Sequence, residues 1–125
     1  MKMSVKMFLA AALFPVICMG ADKNGNFGSA LPADLKYCDN YLTALDACVN
    51  GHCYKQNLYN AWLNGYITAY NAYTDDTFNI VGKRDAKELN YWLANYCKKH
   101  SNSSFDSAVG HLIVELIPQR TKVQP

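Results

Sequence analysis

Residues 38–53 read CDNYLTALDACVNGHC, and this stretch decides the fold. Cys38, Tyr41, Leu42, Leu45 and Cys48 fall at i, i+3, i+4, i+7 and i+10, the spacing of one face of an amphipathic helix. Asn50-Gly51 breaks that helix and Cys53 follows at once; Pro32-Ala33-Asp34 reads as its opening. A separation of ten residues places Cys38 and Cys48 about 15 Å apart along the axis. A disulfide spans only about 4.4–6.8 Å between Cα atoms, so a bridge between those two is excluded. Joining Cys38 to Cys53 would make the residues after Cys48 retrace the whole helix fully extended, which their reach disfavours. Cys97 is the next cysteine along, and the pairing that remains is Cys38–Cys97 with Cys48–Cys53.

Cysteines are read as disulfides because of what lies upstream. Lys2 and Lys6 form a basic head, Met7 to Cys18 is an uncharged apolar run, and Cys18-Met19-Gly20 precedes Ala21-Asp22. Basic head, short apolar run and small residues at the junction are the pattern of a cleaved export signal, here residues 1–20. The run is well short of the ~20 residues a membrane-spanning helix needs. Ile17 is bulky where a lipidated cysteine normally follows a small residue, so Cys18 is assigned to the signal. The expected location is the periplasm, an oxidising compartment. Removing the signal lowers Lys+Arg from 12 to 10 while Asp+Glu stays at 10. A neutral chain carries no electrostatic footprint for nucleic acid or an anionic membrane.

Downstream, residues 21–33 read as a disordered leader, 34–118 as one helical domain and 119–125 as a flexible tail. A second helix is expected from about Lys55 to Tyr73, with Leu58, Trp62, Leu63, Tyr66, Ile67, Tyr70 and Tyr73 in its stripe. As the longest and most apolar element it is expected to be central. Residues 71–83 leave the helical period, carry the turn residues Thr74-Asp75-Asp76, alternate at Phe78 and Ile80 and end at Gly82; they read as a structured loop with a short extended piece. Asp85 with Glu88 is a capping box opening a third helix, whose inward residues are Leu89, Trp92, Leu93, Tyr96 and Cys97. A last helix spans about Ser104 to Ile117, with Phe105, Ala108, Val109, Leu112, Ile113 and Leu116 inward, and Pro118 stops it. The expected fold is a small all-α bundle of about four helices stapled by two disulfides.

Sites of chemistry are hard to find in this pattern. Cys48, His52 and Cys53 contain metal-ligand types but lack a second close pair, and the spacer is not the Cys-x-x-Cys of a redox centre. Adjacent Asp75-Asp76 in a turn reads as solvated, His100 and His111 lack a relay partner, and the serines at 101–107 lack a nucleophile elbow. No catalytic residue, metal or cofactor is assigned, and the chain is read as non-enzymatic. Nine tyrosines are more than a bundle of this size can bury. Tyr59, Trp62, Tyr66, Tyr70 and Tyr73 on the second helix are therefore the candidate partner surface.

Trp62-Leu63-Asn64-Gly65-Tyr66, then Tyr91-Trp92-Leu93-Ala94-Asn95-Tyr96-Cys97, then Glu115-Leu116-Ile117-Pro118 resemble the "W-x-x-G-Y", "W-L-x-x-Y-C" and "L-x-P" motifs of small exported bacterial proteins. These are grouped loosely with the HdeA/HdeB acid-stress chaperones. The chain is also similar to Rap/Tai-type immunity proteins of type VI secretion, and the resemblance covers roughly residues 35–120. It implies a disulfide from a first-helix cysteine to the one in "Y-C", here Cys38–Cys97, and gives Cys48 and Cys53 no role. It implies a chaperone-like protein that binds unfolded clients, linked to acid or envelope stress, or alternatively an immunity factor that neutralises a toxin in the periplasm. A homodimer is left open.

Overall fold

The computed structural model describes residues 21–125; the segment read as an export signal, residues 1–20, lies outside them. Four helices follow in order: α1 (Cys38–Val49), α2 (Tyr54–Tyr73), α3 (Ala86–Lys99) and α4 (Phe105–Leu116), with 3₁₀ turns at Ala33–Leu35 and Ile117–Gln119. Among the described residues there is no strand, only isolated bridges joining Tyr37 to Ser104 and Asn79 to Thr121. The architecture is the disulfide-stapled helical bundle expected from the sequence, and both expected disulfides are present.

Cys38–Cys97 ties the first turn of α1 to the last turn of α3, with 4.9 Å between the Cα atoms. Both cysteines are fully buried, so this bridge runs through the core. Cys48–Cys53 closes the corner between α1 and α2 across Gly51, which lies in the left-handed region at φ +87°. Stable disulfides belong to a non-reducing environment. Among the described residues no helix is long and apolar enough to cross a membrane.

The start of α1 differs from the sequence expectation. Pro32-Ala33-Asp34 opens a single 3₁₀ turn, and the α-helix begins only at Cys38. The cause is tertiary. The Cys38 and Asp39 amides donate to Ser103 O (2.9 Å) and Ser101 O (3.2 Å), while the Phe105 amide donates to Lys36 O (2.8 Å). The linker before α4 therefore takes the hydrogen bonds that a continuous helix would have made internally. Sequence-local caps hold as expected elsewhere. Glu88 N–H donates to Asp85 Oδ1 and Asp85 N–H donates to Glu88 Oε2, both at 2.9 Å, and Ser104 Oγ accepts from Ser107 N–H.

The core centres on α4, not α2. All six α4 residues expected inward are buried, joined by Leu89, Leu93 and Cys97 of α3 and Cys38, Tyr41 and Ala44 of α1. From α2 only Tyr59 and Leu63 are fully buried. The expectation that α2 is central is corrected: it is the longest helix but packs mainly on α1, with Leu58 and Tyr73 exposed. Its stripe is wide enough to cover a core, but α4 carries the denser apolar face and occupies that place.

Two non-local arrangements complete the fold. Tyr41 Oη donates to Asn90 Oδ1 (2.8 Å), and Asn90 Nδ2 donates to Asn60 Oδ1 (3.1 Å) and Ala86 O (2.9 Å), so one asparagine links α1, α2 and α3. The chain after α4 also stays attached. The Phe78 and Asn79 amides donate to Thr121 O (2.9 and 3.0 Å), and Thr121 N–H donates back to Asn79 O (2.9 Å). Arg120 Nε donates to Asp76 O (3.0 Å), and Lys122 Nζ lies 2.6 Å from Asp76 Oδ2. Over residues 119–122 the tail is docked on the loop between α2 and α3. That loop is itself structured: Ile80 is fully buried, and its amide donates to Asn71 Oδ1 (2.8 Å).

Candidate functional site

The five α2 residues singled out from the sequence do not form one surface. Tyr59 is buried, its ring 5.1 Å from Tyr41 and 4.6 Å from Phe105, so it belongs to the core. Its hydroxyl has no hydrogen-bond partner. Burial pushes both the Tyr59 and Tyr41 hydroxyls well above the ordinary phenol range, and each stays protonated. Trp62, Tyr66 and Tyr70 are half-buried against the core, with Trp62 and Tyr66 ring centroids 5.4 Å apart. Tyr73 stands alone at the end of α2, 90% exposed. Of the five, Tyr66 lines a groove, of about 480 Å³, together with Phe27 of the leader and Gly110, His111 and Val114 of α4.

The cysteines serve the scaffold. The four cysteines of the described residues are all consumed by the disulfides, and among those residues no three His, Cys, Asp or Glu side chains gather to hold a metal. Asp76, one of the adjacent turn carboxylates, is the anchor of the tail. The Lys122 ammonium hydrogen-bonded to it, with Arg120 beside it, holds its carboxyl below the ordinary carboxylate range.

A second, larger concavity lies elsewhere, at the start of α3. A groove of about 770 Å³ is lined by Lys83, Arg84, Asp85, Lys87, Glu88, Tyr91, Trp92 and Gln119. Three elements build it. The end of the α2–α3 loop supplies Lys83 and Arg84, the first turns of α3 supply Lys87, Tyr91 and Trp92, and the docked tail supplies Gln119. Tyr91 projects outward, 72% exposed, while Trp92 is half-buried. Trp92 also begins an aromatic row along the same helix. Its ring stacks at 12° on Tyr96 (5.4 Å), and Tyr96 in turn neighbours His100 (4.4 Å) and His111 of α4 (5.1 Å).

Sequence reasoning placed Trp92 and Tyr96 in the core and passed over Tyr91, Lys83, Arg84 and Lys87. A signal was present: Tyr91 is off the inward stripe, and three cations cluster within five residues beside it. Gln119 had no such signal, since the tail's fold-back brings it there. The groove offers ring surface, cationic charge and side-chain hydrogen-bonding groups, which is the chemistry of binding. Comparison with protein-family models, with curated proteins and with solved structures finds no match.

Proposed function

We propose that this chain is an exported, periplasmic, non-enzymatic protein that binds other proteins, in the manner of the HdeA/HdeB-like chaperones its motifs resemble. The observation that carries the reading is the ring surface that Tyr91 and Trp92 present in a groove at the edge of the core. Exposed Tyr91 and half-buried Trp92 line an open groove on α3, with half-buried Tyr96 stacked on Trp92, and partly exposed rings flanked by polar groups suit capture of another polypeptide. No cofactor is required by this reading. Its test is suppression of client aggregation at pH 2–3 by stoichiometric protein. Protection supports a chaperone; unprotected clients beside a chaperone candidate that is itself still soluble refute it.

A second reading is favoured by one feature, the confinement of groove, charge and rings to a single place. A discrete concavity suits one partner better than many clients, as in an immunity factor that blocks a toxin. That reading requires a stoichiometric complex with one periplasmic protein and no loss of acid survival when the gene is deleted.

A further inference from the structure

We propose that the groove at the start of α3 takes an acidic segment of a partner protein, its carboxylates met by Lys83, Arg84 and Lys87 and its apolar side chains by Tyr91 and Trp92. The proposal rests on the protein-binding reading above and adds the chemistry of the partner.

Charge is the first argument. The three ion pairs among the described residues use Lys55, Arg120 and Lys122; none uses Lys83, Arg84 or Lys87. These three of the ten Lys and Arg side chains in residues 21–125 lie within five residues of each other on one groove. Two carboxylates, Asp85 and Glu88, also line it, but each accepts a hydrogen bond from a backbone amide at the start of α3. They are directed to capping the helix and lie beyond ion-pair distance of the three cations. Three cations against two carboxylates leave the groove positive, and the two carboxylates are turned to the backbone amides of the helix start.

Form is the second argument. A continuous phosphate backbone would bring its charges against Asp85 and Glu88 as well as against the cations, and the patch is too short to track one. An acidic peptide can carry both carboxylates and apolar side chains, the first meeting the cations at 83–87 and the second the rings at 91 and 92. Gln119, held in place by the tail, offers an amide to such a peptide's backbone.

The test uses the oxidised protein, ¹⁵N-labelled, and a short synthetic peptide alternating glutamate with leucine and tyrosine. Amide shifts are expected to cluster at residues 83–92, with affinity falling as salt rises. The Lys83→Glu/Lys87→Glu variant, changed only at exposed positions, should bind about tenfold more weakly. A Lys98→Glu/Lys99→Glu variant at the far end of α3 should bind as the parent does. Thermal melts confirm that each variant is folded. The proposal is overturned if the peptide does not bind, or if glutamine in place of glutamate binds equally well. It is also overturned if shifts centre on Tyr66 and Val114, or if an oligo-dT strand binds the same residues more tightly. Absent peptide binding beside intact client protection would remove the acidic partner and leave the protein-binding function standing.

Discussion

Replacing Gly82 by alanine should destabilise this protein far more than any other glycine replacement in its folded domain. Gly82 sits at φ +58°, and a Cβ built there would collide with the carbonyl oxygen of Gln119. The first effect is local: an L-residue in the left-handed region costs about 1–2 kcal/mol. The second is tertiary. The obstacle is backbone, so no rotamer change relieves it, and the tail must move off the loop. Three backbone hydrogen bonds join Phe78 and Asn79 to Thr121. Each is worth about 0.5–1.5 kcal/mol net, and losing one or two brings the total to about 2–4 kcal/mol. For a domain of this size that lowers Tm by roughly 10–20 °C. Urea denaturation of the oxidised protein, followed by circular dichroism, measures it, and loss of amide-exchange protection at Thr121 should accompany it. Gly65 is the internal control. It lies within α2 with open space where a Cβ would go, so Gly65→Ala should raise stability by about 0.5–1 kcal/mol. A Gly82→Ala protein within about 0.5 kcal/mol of wild type, or with Thr121 still protected, would refute the reasoning.

Tyr59→Phe should leave stability unchanged or slightly raised, because its buried hydroxyl has no partner, whereas Tyr41→Phe should cost about 1 kcal/mol by removing the bond to Asn90; equal losses in the two melts would contradict this. Replacing the Cys38–Cys97 pair by alanines should cost about 4 kcal/mol, and the Cys48–Cys53 pair about 2, given loops closed over separations of 59 and 5 residues. Denaturant midpoints that reverse this order would show that native contacts outweigh loop closure. Asp76 has a folded pKa depressed below its ordinary value of 3.8, so the stability it contributes is present above that value and lost as pH falls through the folded pKa. The Thr121 amide should therefore titrate below about pH 4 in wild type and not in Asp76→Asn; a flat wild-type profile would disprove the clasp.

Legibility varied by the range of the interaction involved. The six inward positions of α4, the Asp85–Glu88 capping box and the Cys48–Cys53 corner depend on neighbours within a few residues, and each was readable as spacing. The long disulfide was readable too, because helix geometry eliminated its competitors. The α2 stripe was not. Its rings sit at helical spacing whether the face they form is buried or shared with solvent, and only α4's occupation of the centre moved Trp62, Tyr66 and Tyr70 to half-buried positions. Tyr59 lies off that stripe and yet is the ring that enters the core.

The candidate site shows the same division. Lys83, Arg84, Lys87 and Tyr91 are adjacent in the chain, and their clustering is a property of sequence alone. That they border a groove depends on Gln119, carried there by a tail whose anchor, Asp76, lies 44 residues before Arg120. Sequence by itself determined four helices, the caps at Asp85 and Ser104, the disulfide partners and an excess of rings over what a small core can hold. The start of α1 was set by the linker before α4. Only the tertiary structure decided which rings were the excess, because burial depends on which faces meet, and helical periodicity describes a face without naming its partner.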